Sequence, residues 1–102
     1  MATACAKRLI QQRKISVCQV CGERPAQEAH HCLYGKKKGV KELDEDYNLQ
    51  LVCVECHKFS GLAKSYENKL QFWNWACDYY GKAIMLDWHD RVPLKIKEYA
   101  YK

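Results

Sequence analysis

Two cysteine pairs of identical spacing stand out: Cys18-Gln19-Val20-Cys21 and Cys53-Val54-Glu55-Cys56, separated by 31 residues. Zinc takes four soft ligands in a tetrahedron, and a two-residue gap lets one tight turn supply two thiolates. Gly22, just after the first pair, suits a turn that needs positive φ. Two such pairs in a short chain predict a structural zinc on Cys18, Cys21, Cys53 and Cys56. A closed four-thiolate site leaves no position for water, so this ion is expected to hold the fold and perform no chemistry. Redox use of a CxxC pair is the competing reading; it fits a single pair in a βαβ unit, which the pattern does not suggest. Cys5, Cys32 and Cys77 are left over, and Cys77 reads as a buried apolar residue.

Three of the four histidines lie within or beside this cysteine frame. His30 and His31 are adjacent, and His57 directly follows Cys56. On a strand, His30 and His31 point to opposite faces, so one could ligate a metal while its neighbour meets a substrate. With four cysteines closing the zinc site, the histidines would form a second, open site of the catalytic kind. The other reading places one of His30 and His31 in the zinc site, in place of a cysteine. His89, far from the frame, reads as a packing or surface residue.

The elements that must position these groups fall in three zones. Residues 1–16 are basic, with Lys7, Arg8, Arg13 and Lys14 around Leu9, Ile10 and Ile15, and read as a short helix or arm. Residues 17–57, punctuated by Gly22, Gly35, Gly39 and Pro25, suit short strands and loops. Residues 57–80 read as a helix: Phe59, Ala63, Tyr66, Leu70, Trp73, Cys77 and Tyr80 recur at alternating steps of 4 and 3, and Gly81 follows. This stripe, with Trp73 and Trp75, is expected in the core and not against bases. Ala83–Trp88 reads as a strand or extended segment, and Pro93 separates it from a basic tail of Lys95, Lys97 and Lys102.

Composition bounds the rest. The chain has 102 residues, 17 basic and 12 acidic, for a net charge of +5. That length suits one domain, and 48% hydrophobic content argues against wholesale disorder. No apolar run approaches the roughly 20 residues of a membrane helix. Met1–Arg13 lacks a signal-peptide layout, and seven cysteines is an odd count. The expectation is a reducing, intracellular setting in which clustered cysteine binds metal and staples a small core.

The order of these pieces resembles the HNH endonucleases, whose fold is the ββα-metal fold. The resemblance spans Val17 to about Lys64. It rests on the knuckle Cys18–Gly22, the segment Glu28-Ala29-His30-His31-Cys32, the asparagine segment Tyr47-Asn48-Leu49-Gln50-Leu51-Val52, and Cys53–Cys56 running into His57-Lys58. It implies a small α+β, zinc-stapled domain over residues 1–102. The basic arm is 1–16, the treble-clef-like zinc/HNH core 17–64, and the extension, with a long C-terminal helix, 65–102. It implies that His31 is the general base, that His30 and His57 hold one divalent ion (Mg, Mn, Ni or Zn), and that Asn48 clamps the loop between two strands. Many members add a ligand one turn after the helix histidine; here that place holds Gly61. The part from Tyr66 on lies outside the motif and distantly resembles small phage-type nucleases.

These parts suit phosphodiester hydrolysis. Histidine, with an ordinary pKa near ~6.5, can take a proton from water at neutral pH. Lys36, Lys37, Lys38 and Lys41, in a glycine-flanked loop after His31, could grip backbone phosphates, and the arm Lys7–Lys14 could extend the footprint. The acidic run Glu42, Asp44, Glu45, Asp46 favours an ordinary solvated loop instead. The expected function is metal-dependent cleavage of DNA. The alternative is a non-catalytic zinc module that binds nucleic acid or protein. A chain this small could also act as a homodimer or with a protein partner, through Trp73, Trp75 or the C-terminal segment.

Overall fold

The computed structural model describes residues 2–100; Lys102 of the basic tail lies outside the described residues. Helix α1 (Ala4–Arg13) is capped by Thr3, whose hydroxyl accepts from the Ala6 amide, and ends at Lys14 in the left-handed region. Strands β1 (Glu28–His31) and β2 (Leu49–Val52) form an antiparallel pair in which His30 faces Gln50 and His31 faces Leu49. A π-helical turn, Glu55–Phe59, follows the second cysteine pair, and a single 3-10 turn spans Leu62–Lys64. Three helices complete the chain: α2 (Tyr66–Tyr80), α3 (Lys82–Arg91) and α4 (Leu94–Ala100). Among the described residues no helix is long and apolar enough to cross a membrane.

The strand period sorts the two faces of the sheet. Leu49 and Leu51 pack with Ala6 and Leu9 of α1, joined by partly buried Ala29. On the other side Val52 packs with Cys18, Cys53, Cys56 and Ala63 around the cysteine cluster. The third and largest cluster joins α2 and α3 through Phe72, Ala76, Met85 and Trp88, and roofs the long β1–β2 connection through Cys32, Tyr34 and Leu43. Trp88 is fully buried, and its indole N–H donates to the Glu42 carbonyl at 2.9 Å.

The helical zone differs from the expectation in three respects. First, the helix over 57–80 is interrupted. Gly61 sits at φ 75°, and Ser65 starts a new helix by accepting from the Asn68 amide. Second, the buried face of α2 is Asn68, Phe72 and Ala76, so Phe59, Tyr66 and Leu70 of the expected stripe are exposed. Trp73, Trp75, Cys77 and Tyr80 flank the core as partly buried contacts. Third, Ala83–Trp88 is not a strand; it lies inside α3, with Met85 and Trp88 inward. Gly81, which ends α2 at φ 105°, also begins α3, so the two helices are joined through one residue.

Candidate metal and catalytic centre

The two cysteine pairs converge. The sulfurs of Cys18, Cys21, Cys53 and Cys56 all lie within 4.8 Å of one another, with Cys21 and Cys53 at 4.0 Å. A tetrahedral zinc at about 2.3 Å from each thiolate needs sulfurs about 3.8 Å apart, so this cluster can hold one. Its local fold explains the fit. Val17 bridges Pro25, the Cys18 amide donates to Arg24, and the Gly22 amide donates back to Cys18, closing a turn with Gly22 at φ 69°. Amides are aimed at the sulfurs: Val20 N donates to Cys18 at 3.3 Å and Cys56 N to Cys53 at 3.4 Å. The backbone amides of Arg24 and Glu23 pull the Cys21 thiol down to about 6. Burial pushes Cys56 the other way, as expected of thiols that share one site and cannot all ionise without a cation.

The histidines gather beside this cluster. His57 is one residue past Cys56, and its ring lies 4.8 Å from that of His30. His30 is buried, and its Nε2 is 3.1 Å from the Ala63 carbonyl oxygen. A carbonyl only accepts, so Nε2 carries the proton and Nδ1 keeps the lone pair. Burial, and next the neighbouring His57, push the His30 pKa down to about 4, so the ring is neutral at pH 7. His57 Nδ1 lies 2.9 Å from Glu28 Oε1, which leaves Nε2 for a second partner. Glu28 also receives Lys58 Nζ at 3.1 Å. His57 and Lys58 together hold its carboxyl below the usual carboxylate range. No role for Glu28 is readable from spacing to the cysteines. Its one sequence signal is its place two residues before His30, on the same strand face.

His31 emerges on the other strand face, where its Nε2 meets Asp44 Oδ1 at 2.8 Å. A cleft of about 330 Å³ brings His31, Asp44, Glu28 and His57 together, walled by Thr3, the cap of α1, and Cys5 within it. Asn48 is fully buried at the end of the β1–β2 connection. Its Oδ1 accepts from the Leu33 and Tyr34 amides at 2.9 and 3.0 Å, and its Nδ2 donates to the Tyr34 and Leu43 carbonyls, both at 2.8 Å. The bonds fix the amide orientation, because amides only donate and carbonyls only accept. His89 is away from the cleft, with Nε2 2.7 Å from the Tyr34 hydroxyl.

The charged surface is narrower than the sequence suggests. Lys36, Lys37, Lys38 and Lys41 are exposed in the connection after β1. In α1, however, Arg13 is only 5% exposed. Its guanidinium donates to the Tyr80 hydroxyl, Gln19 and the Asp46 carbonyl, and lies over the Trp75 ring at 4.8 Å. Arg8 is paired with Asp46 at 2.7 Å. These two arginines tie α1 to the body of the domain; Arg8 stays exposed but paired, beside the exposed lysines Lys7 and Lys14.

Among the described residues, the four cysteines are the one group of three or more Cys, His, Asp or Glu ligands close enough to share an ion. His30 and His57 belong to no such group of three among the described residues, and the position four residues after His57 is Gly61. Residues 18–61 match the family model described as HNH endonuclease, a span that holds both knuckles, His30, His31, Asn48 and His57. No curated protein and no solved structure matches the chain.

Proposed function

We propose that this chain, which carries an HNH endonuclease segment at residues 18–61, is a metal-dependent nuclease that hydrolyses DNA phosphodiester bonds. The observation that carries the reading is how the His30 and His57 rings are held. Each gives one N–H to an oxygen, of Ala63 and Glu28 respectively, and keeps its other nitrogen for a second partner. Ligating histidines are commonly oriented in this way by a carbonyl or carboxylate. The donor set fits one divalent ion on His30 and His57. Such an ion, when held, supplies Lewis-acid stabilisation to a phosphate oxygen and to the leaving 3′ oxygen.

The remaining work falls to the chain. His31 takes the proton of the attacking water at Nδ1, the nitrogen not engaged by Asp44. Asn48 closes the β1–β2 connection and so holds His31 at its start. Lys36, Lys37, Lys38 and Lys41 hold backbone phosphates without reading bases. The four-cysteine site, as zinc, holds both knuckles and does no chemistry.

The test is nicking of supercoiled plasmid by protein that retains its structural zinc, across Mg, Mn, Ni and Zn, beside His31→Ala. Metal-dependent nicking that vanishes in the variant supports the reading. No cleavage with any ion, from protein that binds DNA, favours a zinc module that only binds. Cleavage that persists in His31→Ala removes His31 as the base.

A further inference from the structure

We propose that Asp44 is a positioning residue that fixes the tautomer and aim of His31, an inference that rests on His31 being the base. Its Oδ1 is 2.8 Å from His31 Nε2, across 13 residues of sequence. A carboxylate only accepts, so the contact places the ring proton on Nε2 and the lone pair on Nδ1.

Exposure argues against such a role at first sight, because the Asp44 side chain is 57% exposed. Pairs of this kind usually gain little, since ordering the side chains offsets the attraction. Here the backbone that carries Asp44 is already ordered by buried donors. Trp88 Nε1 holds the Glu42 carbonyl at 2.9 Å, and Asn48 Nδ2 holds the Leu43 carbonyl at 2.8 Å. Leu43 between them is fully buried. The helical turn Lys41–Asp44 therefore delivers the carboxylate to His31 with only its own side-chain torsions left to fix. Asp44 and His31 also share the cleft with His57 and Glu28, so the pair stands beside the proposed metal ligands. The acidic run that reads in sequence as a solvated segment thus contains one residue with a directed role.

The experiment has an arm that needs no activity. Imidazole nitrogen NMR on the zinc-loaded protein, assigned with His31→Ala, is expected to show His31 with its proton on Nε2. In Asp44→Asn, whose amide can also donate to Nε2, a mixture of tautomers is expected. The second arm measures plasmid nicking at saturating DNA. Asp44→Asn is expected to lower kcat roughly 10- to 100-fold, the range lost when an outer partner of a working histidine is removed. KM should stay unchanged, and Asp44→Glu should recover part of the rate. A wild-type His31 protonated on Nδ1, or an Asp44→Asn variant with wild-type kcat, overturns the proposal. If His31→Ala itself cleaves like wild type, the base reading has failed and the catalytic role of Asp44 falls with it; the tautomer arm then reports the contact alone.

Discussion

Asn48→Asp is a nearly isosteric change that attacks the loop clamp from one side only. The retained oxygen still accepts from the Leu33 and Tyr34 amides. The new oxygen replaces Nδ2 and faces the Tyr34 and Leu43 carbonyls, where two donated bonds of 2.8 Å are lost. Each lost bond costs about 1 kcal/mol net, and the acceptors left unpaired add to it. A buried carboxylate against two carbonyls costs more, and the site is fully buried. The sum at pH 7 is about 3–5 kcal/mol, at the upper end for a single substitution. For a domain of this size each kcal/mol lowers Tm by about 4–8 °C, so a drop of at least about 12 °C is expected. The new carboxyl can relieve the clash by taking a proton and donating to one carbonyl. Its folded pKa is therefore raised, the folded state holds a proton that the unfolded state releases, and stability should recover as pH falls from 7 toward 5. Thermal melts by circular dichroism across that range provide the assay, with Asn48→Ala as a variant that has no such recovery. An Asn48→Asp protein that melts within about 2 °C of wild type at pH 7 would falsify the clamp.

The other consequences are simpler to read. Cys18→Ser or Cys53→Ser should lose zinc, measured by elemental analysis, and with it the cooperative melt; a wild-type melt in either variant refutes a structural ion. His30, lowered to about 4, refuses a proton that the unfolded chain accepts below its ordinary 6.5. The domain should therefore lose about 1 kcal/mol between pH 7.5 and 5.5, as seen in denaturant midpoints. His30→Leu should flatten that slope, and an unchanged slope would mean the ring is not shielded. Arg13→Lys should cost on the order of 2 kcal/mol, because an ammonium cannot meet Tyr80, Gln19 and Asp46 together or lie flat on Trp75. A loss below a few tenths would return Arg13 to the surface. Replacing Lys36 and Lys38 by Gln should lower the salt slope of DNA binding by about 2 in a filter or anisotropy titration. Equal slopes would mean these lysines touch no phosphate.

What was legible in the sequence was what short-range spacing controls. A CxxC pair and its glycine close within one turn, so the four-cysteine cluster and the positive φ of Gly22 could be read directly. The end of α2 at Gly81 is local in the same sense. The C-terminal helices were harder because a stripe of 4 and 3 steps does not say which stripe faces inward. Phe72 and Ala76 were chosen by contact with Met85 and Trp88, which come later in the chain. Ala83–Trp88 read as extended because so short an apolar run does not distinguish strand from buried helix. Arg13 looked like one more cation on a basic arm. Nothing local reveals that Tyr80 and Trp75, more than 60 residues away, form its socket. Glu28 and Asp44 escaped notice for a related reason, since each acts on a histidine that only the strand pairing and the loop clamp bring within reach.

Placing His57 one residue past Cys56 ties the proposed histidine site to the four-cysteine cluster. The His57 amide donates to the Cys53 carbonyl at 3.1 Å, and the π-helical turn that carries His57 starts inside the second cysteine pair. That turn carries the imidazole to Glu28 and His30. The cysteine cluster therefore sets the position of a proposed catalytic ligand through a single peptide unit. Among the described residues the second knuckle packs in a small cluster: besides the four cysteines it holds Val52, Ala63 and partly buried Val20. With so little apolar burial at this corner, an ion in the cysteine cluster would supply much of what holds its shape. A site with only two imidazoles has little spare affinity with which to correct a misplaced one. On this geometry, removing an ion from the cysteine cluster is expected to abolish the proposed cleavage as well.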